Sequence, residues 1–196
     1  ATYTVNLDKR DRSFMPTSGY TSGFTQSFPI YADSAYIENR YGGSVYKSFS
    51  PNVIGAVKFY AGAINSLGSE DIRISKRMTL PSRKLRGFES GKIGPVDGAD
   101  FVGGNYVSSL NFEASLPNFL PESTKTEVAV FLDAGNVWGV DYSNTVTDSN
   151  TIRSSAGVTT SWLSPVGPMV FVLAQNITKA STDVTETFNF RLGTSF

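Results

Sequence analysis

The chain has 196 residues, 17 Lys and Arg against 17 Asp and Glu, no Cys and no His, while 14 Phe and 9 Tyr help raise the aromatic share to 13% and charged residues are only 17%, below the roughly 25% of a typical soluble domain. Charges that cancel argue against a nucleic-acid-binding protein, which carries a basic excess. The absence of Cys excludes a disulfide scaffold and a Cys-ligated zinc or iron–sulfur site, and the absence of His removes the commonest general base and metal ligand.

No stretch approaches the roughly 18 apolar residues of a membrane helix; the longest apolar runs, Val128–Leu132 and Met169–Ala174, are strand-sized. Ala1 to Arg10 reads as polar alternation rather than a signal peptide. Alternation with a period of two dominates the rest and predicts strands. In chain order the expected strands are 1–8, 19–29, 34–48, 53–66, 103–115, 125–136, 151–162, 168–177 and 185–196. Tyr3, Val5 and Leu7 oppose Thr2, Thr4 and Asn6, and Tyr20, Phe24 and Phe28 oppose Thr21, Gly23, Thr25 and Ser27. Leu110, Phe112 and Ala114 oppose Ser109, Asn111 and Glu113; Val128, Val130 and Leu132 oppose Glu127, Phe131 and Asp133. Ala156, Val158 and Trp162 oppose Arg153, Ser155 and Thr159, and Phe188, Phe190 and Leu192 oppose Asn189, Arg191 and Gly193.

The connections alternate in character. Arg10–Ser18, Ser50–Asn52, Leu116–Thr124 and Leu163–Gly167 are short and each contains Pro. The other set, 30–33, 67–102, 137–150 and 178–184, includes one very long loop. Strands of about ten residues, an apolar face opposite a Ser/Thr/Asn/Gly face, and aromatics near strand ends predict an all-β, antiparallel transmembrane β-barrel with an outward apolar band and a polar interior. A soluble sandwich is the alternative; it would carry a charged, wet second face.

The motifs come in a fixed order. Leu85-Arg86-Gly87-Phe88 and Ile93-Gly94-Pro95 lie in the long connection, Gly103-Gly104-Asn105 opens a strand ending at Glu113, and Phe131-Leu132-Asp133-Ala134-Gly135 follows. Ser164-Pro165-Val166-Gly167-Pro168 marks a turn and Phe190-Arg191-Leu192-Gly193-Thr194-Ser195-Phe196 ends the chain. This ordered set resembles the C-terminal barrel of the BamA family of bacterial outer-membrane protein assembly factors, whose wider superfamily includes organelle insertases and two-partner-secretion transporters. The match is strongest over residues 80–196 and looser over 1–79, where it rests on the turn from Asp11-Arg12 to Gly19.

The resemblance implies the last half of a sixteen-strand barrel: one C-terminal barrel region over 1–196, without the POTRA domains that precede family barrels. A half with two open edges either closes on itself as a barrel of about eight strands or pairs with another chain, since lipid does not tolerate bare strand edges. It also implies that the long loop folds back into the barrel and that Arg86, Gly87 and Phe88 dock it on the inner wall, with Asp133 and Glu113 as partners. Parity independently puts both carboxylates on the polar face, and a guanidinium in a confined lumen can bind them bidentately. Taken alone, Arg86-Gly87-Phe88 also reads as a solvated loop tip. Gly135, Gly103 and Gly104 fall in expected strands, where glycine marks a close approach or a bend; a docked loop and barrel curvature both account for them. Phe190, Leu192, Gly193 and Phe196 resemble the C-terminal assembly signal of outer-membrane proteins, read by strand addition.

Asp97, Asp100, Glu70 and Asp71 lack the spacing of a calcium loop and read as solvated loop acids. Neither a nucleophile–base pair nor G-x-S-x-G is present, so an enzyme is not expected. The resemblance implies no cofactor and no metal, an integral outer-membrane location, and insertion of client β-barrel proteins with lipid, clients and assembly-complex lipoproteins as partners. A two-partner-secretion exporter, or a small structural or pore-forming barrel, are the alternatives.

Overall fold

In the computed structural model, residues 1–29, 35–142, 145–165 and 167–192 are described. The strands are β1 (Thr2–Asp8), β2 (Gly19–Ser27), β3 (Tyr36–Ser50), β4 (Val53–Ser66), β5 (Val96–Asp97), β6 (Asp100–Phe101), β7 (Tyr106–Leu116), β8 (Thr126–Trp138), β9 (Val146–Thr147), β10 (Arg153–Ser164), β11 (Gly167–Thr178) and β12 (Phe188–Leu192). Two short 3-10 turns, Ile74–Lys76 and Glu122–Thr124, accompany them. Nine strands form one antiparallel sheet in the order β1-β2-β3-β4-β7-β8-β10-β11-β12, so each strand lies beside its neighbour in sequence once the small loop strands are set aside. Those small strands form a separate sheet, β6-β5-β9, which ties the long loop to the β8–β10 connection.

Among the described residues the sheet is open. β1 pairs only with β2 and β12 only with β11. The nine long strands coincide with the nine expected from alternation, with two differences that bear on function. The strand expected from residue 103 begins at Tyr106, so Gly103 and Gly104 precede it. The strand expected from residue 185 begins at Phe188.

The strands between the two edges are 9 to 15 residues long, enough for the 9–11 tilted residues that cross a bilayer. Burial is inverted relative to a soluble sheet. Phe59, Phe112, Val130, Leu132 and Leu173 are exposed on the convex face, whereas Ser109, Asn111, Asp133, Ser155 and Thr159 are buried on the concave one. An outer surface of this composition is stable against lipid and costly against water. Tyr106 and Trp138, cross-strand partners at the long-loop rim, stack at 5.9 Å between ring centres, in keeping with an aromatic girdle.

This assignment of faces gives a direct expectation. Leu132 lies midway along β8 and is 46% exposed. Leu132→Arg is expected to cost about 2–4 kcal/mol of folding stability in vesicles, the range for a cation at mid-bilayer. Ser161→Lys, on the lumen face beside Glu127 in register, should cost far less. Equal shifts in urea titrations of the two variants would count against the assignment.

The short turns share one rim. The β1–β2 turn shows how they are fixed: Asp11 Oδ1 accepts from the backbone N–H of Thr17 at 2.9 Å and of Ser18 at 3.2 Å, and Oδ2 from the Thr17 hydroxyl at 2.5 Å. The Thr17 hydroxyl chiefly, with the turn's N–H groups, holds the Asp11 carboxyl down at about 2. Since the folded value is depressed, the clamp contributes fully above the ordinary value of 3.8 and is lost as pH falls through about 2.

The concave side is filled by residues 67–105 rather than by wall side chains alone. Ile72, Met78, Leu80, Leu85, Phe88 and Ile93 of this loop pack against Ile64, Val107 and Val137 of β4, β7 and β8 in one buried cluster. The loop thus supplies its own apolar core to a lumen whose walls are largely polar.

Candidate functional site

The loop is fastened where it leaves and re-enters the sheet. Asp141 accepts from Ile72 N and from Asn105 Nδ2, each at 2.7 Å, and Met78 and Gly104 exchange backbone hydrogen bonds at 2.8 and 2.9 Å. Gly103 and Gly104 therefore serve the loop crossing and not the ladder of β7. Gly103 has φ +68, and a Cβ there would lie 2.8 Å from Met78 O; a Cβ on Gly104 would lie 2.5 Å from Trp138 O. At Gly135, within β8, a Cβ would meet Ser108 O at 2.9 Å and Leu80 of the loop at 3.0 Å, so the close approach there involves both the neighbouring strand and the docked loop.

Beyond a turn closed by Lys84 N donating to Pro81 O at 2.9 Å, the chain presents Arg86 to the wall. Its Nε donates to Asp133 Oδ2 and its Nη2 to Asp133 Oδ1, both at 2.7 Å, while Nη1 donates to Glu113 Oε2 at 2.7 Å. The Arg86 backbone N–H adds a fourth bond to Asp133 Oδ2 at 3.1 Å. Asp133 is 0% exposed and Arg86 6%. Lys58 of β4 reaches Glu113 Oε1 at 3.3 Å, so two cations face two carboxylates and the cluster is neutral. The guanidinium also lies over the Phe131 ring, 3.7 Å from its centre, the stacked arrangement a planar cation favours.

The wall bonds the loop backbone as well. Asn111 Nδ2 donates to Lys84 O at 2.9 Å, Ser155 Oγ donates to Arg86 O, and Asn176 Nδ2 donates to Gly87 O at 2.7 Å. Gly87 has φ +88, and a Cβ would lie within 3.2 Å of Ala174, Asn176 and Ser155; only glycine accepts both the conformation and the space. Phe88 is buried in the loop's apolar cluster. Loop residues Arg86, Gly87 and Phe88 are thus brought together with Asp133, Glu113 and Gly135, with Gly103 and Gly104 at the loop's return. Phe190 and Leu192 lie apart, on the exposed face of β12, with Phe190 stacked 5.1 Å from Phe171; Gly193 and Phe196 fall outside the described residues.

A second buried ion pair carries no sequence motif. Arg153 Nε and Asp183 Oδ2 lie 2.9 Å apart with both side chains fully buried, and Arg153 Nη1 donates to Asn136 Oδ1 and Thr151 O. Parity had put Arg153 on the polar face, but Asp183, in a connector, had nothing to mark it. The same holds for Lys58 and Asn176, whose roles depend on where the loop lies. Asp97 and Asp100 face each other across the β5–β6 turn, away from these pairs. Every nitrogen of the Arg86 guanidinium is engaged, so the arrangement is suited to holding a loop against a wall.

Comparison with known proteins matches the Omp85 superfamily domain over residues 1–196. The chain is 28% identical to the outer membrane protein assembly factor BamA of Neorickettsia risticii over 199 residues, covering 99% of this chain and 27% of that protein. It is 31% identical to the outer membrane protein assembly factor BamA of Neisseria meningitidis over 139 residues, 57% of this chain and 17% of that protein. A SAM50-like protein of Schizosaccharomyces pombe is 27% identical over 143 residues, 69% of this chain and 30% of that protein. The chain thus spans less than a third of the length of these relatives. The crystal structure of BamA from Haemophilus ducreyi lacking POTRA domains 1-3 has the same fold, with a TM-score of 0.87 over 96% of this chain and 41% of that one at 24% identity. The chain belongs to the Omp85 superfamily and is part of an integral β-barrel protein of the bacterial outer membrane.

Proposed function

We propose that this barrel region works in the folding and insertion of client β-barrel proteins into the outer membrane, together with lipid and the lipoproteins of an assembly complex. The observation that carries this reading is the arginine of the long loop bound to two buried wall carboxylates, in a chain whose relatives bear the name of assembly factors. The mechanism is a scaffold one and calls for no cofactor. An edge strand with free backbone groups templates a client strand, while the wall thins or perturbs the bilayer beside it. In the sequence, Phe190, Leu192, Gly193 and Phe196 carry the pattern by which an assembly factor would read this chain in turn.

The test replaces the resident gene by Arg86→Ala and follows outer-membrane barrel levels, with a parallel assay of client insertion into liposomes by purified full-length protein. Client insertion is expected to fall, with Arg86→Lys intermediate because an ammonium cannot reproduce the bidentate fork. Unchanged insertion by a folded Arg86→Ala protein would overturn the role of the loop. Export of a dedicated secreted partner without client insertion would favour a transporter instead.

A further inference from the structure

The convex face carries a single charge. Cross-strand partners share a face, and by that register every charged side chain of the nine long strands lies on the concave side except Lys47. Lys47 stands in one row with Gly55, Ala114, Val130, Val158 and Leu173, and the last three are exposed on the convex face. Its ammonium lies 5.8 Å from the centre of the Phe49 ring. No carboxylate of the described residues comes within salt-bridge distance of it. A bare cation is costly at mid-bilayer and cheap at the interface. Lys47 lies close to Ser50, where β3 ends at the short-turn rim, so its alkyl stem can lift the charge to headgroup depth.

Beside this lysine the face is hollow. A register shift between Ser48 and Ser50 leaves Phe49 as an extra residue, and its ring folds over Gly55, leaving no room there for a Cβ. Ala114, the partner of Gly55 on β7, is small as well. Larger side chains flank this row: Val57, Phe112 and Leu132 on the long-loop side, and Phe49 on the turn side. The depression between them measures about 640 Å³, and its lining is largely apolar.

The strands beneath it, β3, β4, β7 and β8, are all interior to the sheet. Their backbone groups are paired on both sides, so the hollow offers no edge to a peptide strand. It suits an apolar chain that needs no hydrogen bonds, joined to an anion at the depth of Lys47. A phospholipid has both parts, and basic side chains at the interface recognise lipid headgroups.

We propose that this hollow seats one phospholipid of the leaflet on the short-turn side. An acyl chain lies over Ala114 between Phe49 and Phe112, and the lipid phosphate pairs with Lys47. The bulge at Phe49 then builds one wall of the seat and sets the ammonium beside it. The seat lies in the middle of the sheet and does not rest on the function proposed above.

The test titrates phosphatidylglycerol into the full-length protein in detergent and counts retained lipid by native mass spectrometry. Lys47→Ala should lower the population carrying the most tightly held lipid about fivefold, the worth of one lysine beside an anionic headgroup, and Lys47→Arg should restore it. Ala114→Leu fills the floor with a side chain that lipid tolerates and should lower that population with the charge in place. Lys9→Ala, in the β1–β2 turn at the same rim, should leave it unchanged. Only compact, heat-modifiable molecules are scored, with Ala114→Val in reserve if Ala114→Leu yields none. Equal retention by Lys47→Ala and the parent, or equal losses in Lys47→Ala and Lys9→Ala, would overturn the seat and leave only diffuse attraction of lipid to a basic rim. Loss in Lys47→Ala without loss on filling the floor would overturn the seating of the chain. A parent dimer that Ala114→Leu disrupts would overturn the lipid in favour of a second copy.

Discussion

Arg86→Ala is expected to destabilise the barrel by about 3–5 kcal/mol, the cost of leaving buried charge uncompensated. Asp133, fully buried, would lose the guanidinium and keep only one backbone N–H, which itself depends on the loop staying in place. Glu113 would keep Lys58 at 3.3 Å, so the residual charge is unevenly relieved and Asp133 is the costlier orphan. Arg86→Ala combined with Asp133→Asn should therefore be less damaging than the sum of the two, since the remaining Lys58–Glu113 pair is neutral. Urea titration of the refolded protein gives the energies. Limited trypsin digestion gives the location: the loop carries Lys84 and Lys92, which should become cleavable in Arg86→Ala and stay protected in the parent. A loss below about 1 kcal/mol, the range of exposed ion pairs, with no new cleavage, would mean that the loop is held by its apolar cluster and that the arginine adds little.

How much of this was legible in the sequence follows from which interactions are local. Alternation is a property of one strand at a time, so the nine long strands and their faces could be read directly. Parity sufficed to put Asp133, Glu113 and Arg153 on the inner side. It could not say that Phe131 and Val172, also inward, would form an apolar patch in the lumen, because that depends on what fills the barrel. The two glycines before Tyr106 looked like strand residues since glycine carries no alternation signal; the crossing of Met78 over Gly104 is what ends the strand there. The start of β12 was displaced for a related reason. Residues 185–187 have strand character, and they do form a bridge, but to a loop nearly a hundred positions earlier in the chain. Pairings of that range have no sequence periodicity.

Asp183→Ala should be about as costly as Arg86→Ala, again roughly 3–5 kcal/mol, although no motif draws attention to it. Asp183 accepts from Arg153 Nε and Nη2 and from the backbone N–H of Ala180 at 2.6 Å. Its removal strands a guanidinium with no exposure, left with Asn136 Oδ1 and Thr151 O on Nη1 alone. Arg153 cannot shed its proton to relieve this, so the connector must open to water or the strand end must fray. Replacing the pair together, Arg153→Leu with Asp183→Leu, removes both charges and should recover most of the loss, because apolar replacement of a buried pair is often close to neutral. The two clamps also act on opposite ends of one structure: Arg86 holds the loop to the wall, and Asp183 holds the connector that the loop pairs with. Asp183→Ala should accordingly weaken protection of Lys92, beside the Val184 bond, more than that of Lys84, which Asn111 still fixes to the wall. Equal exposure of both sites to trypsin would mean that loop and connector open as one unit, and that the wall arginine cannot hold its half alone.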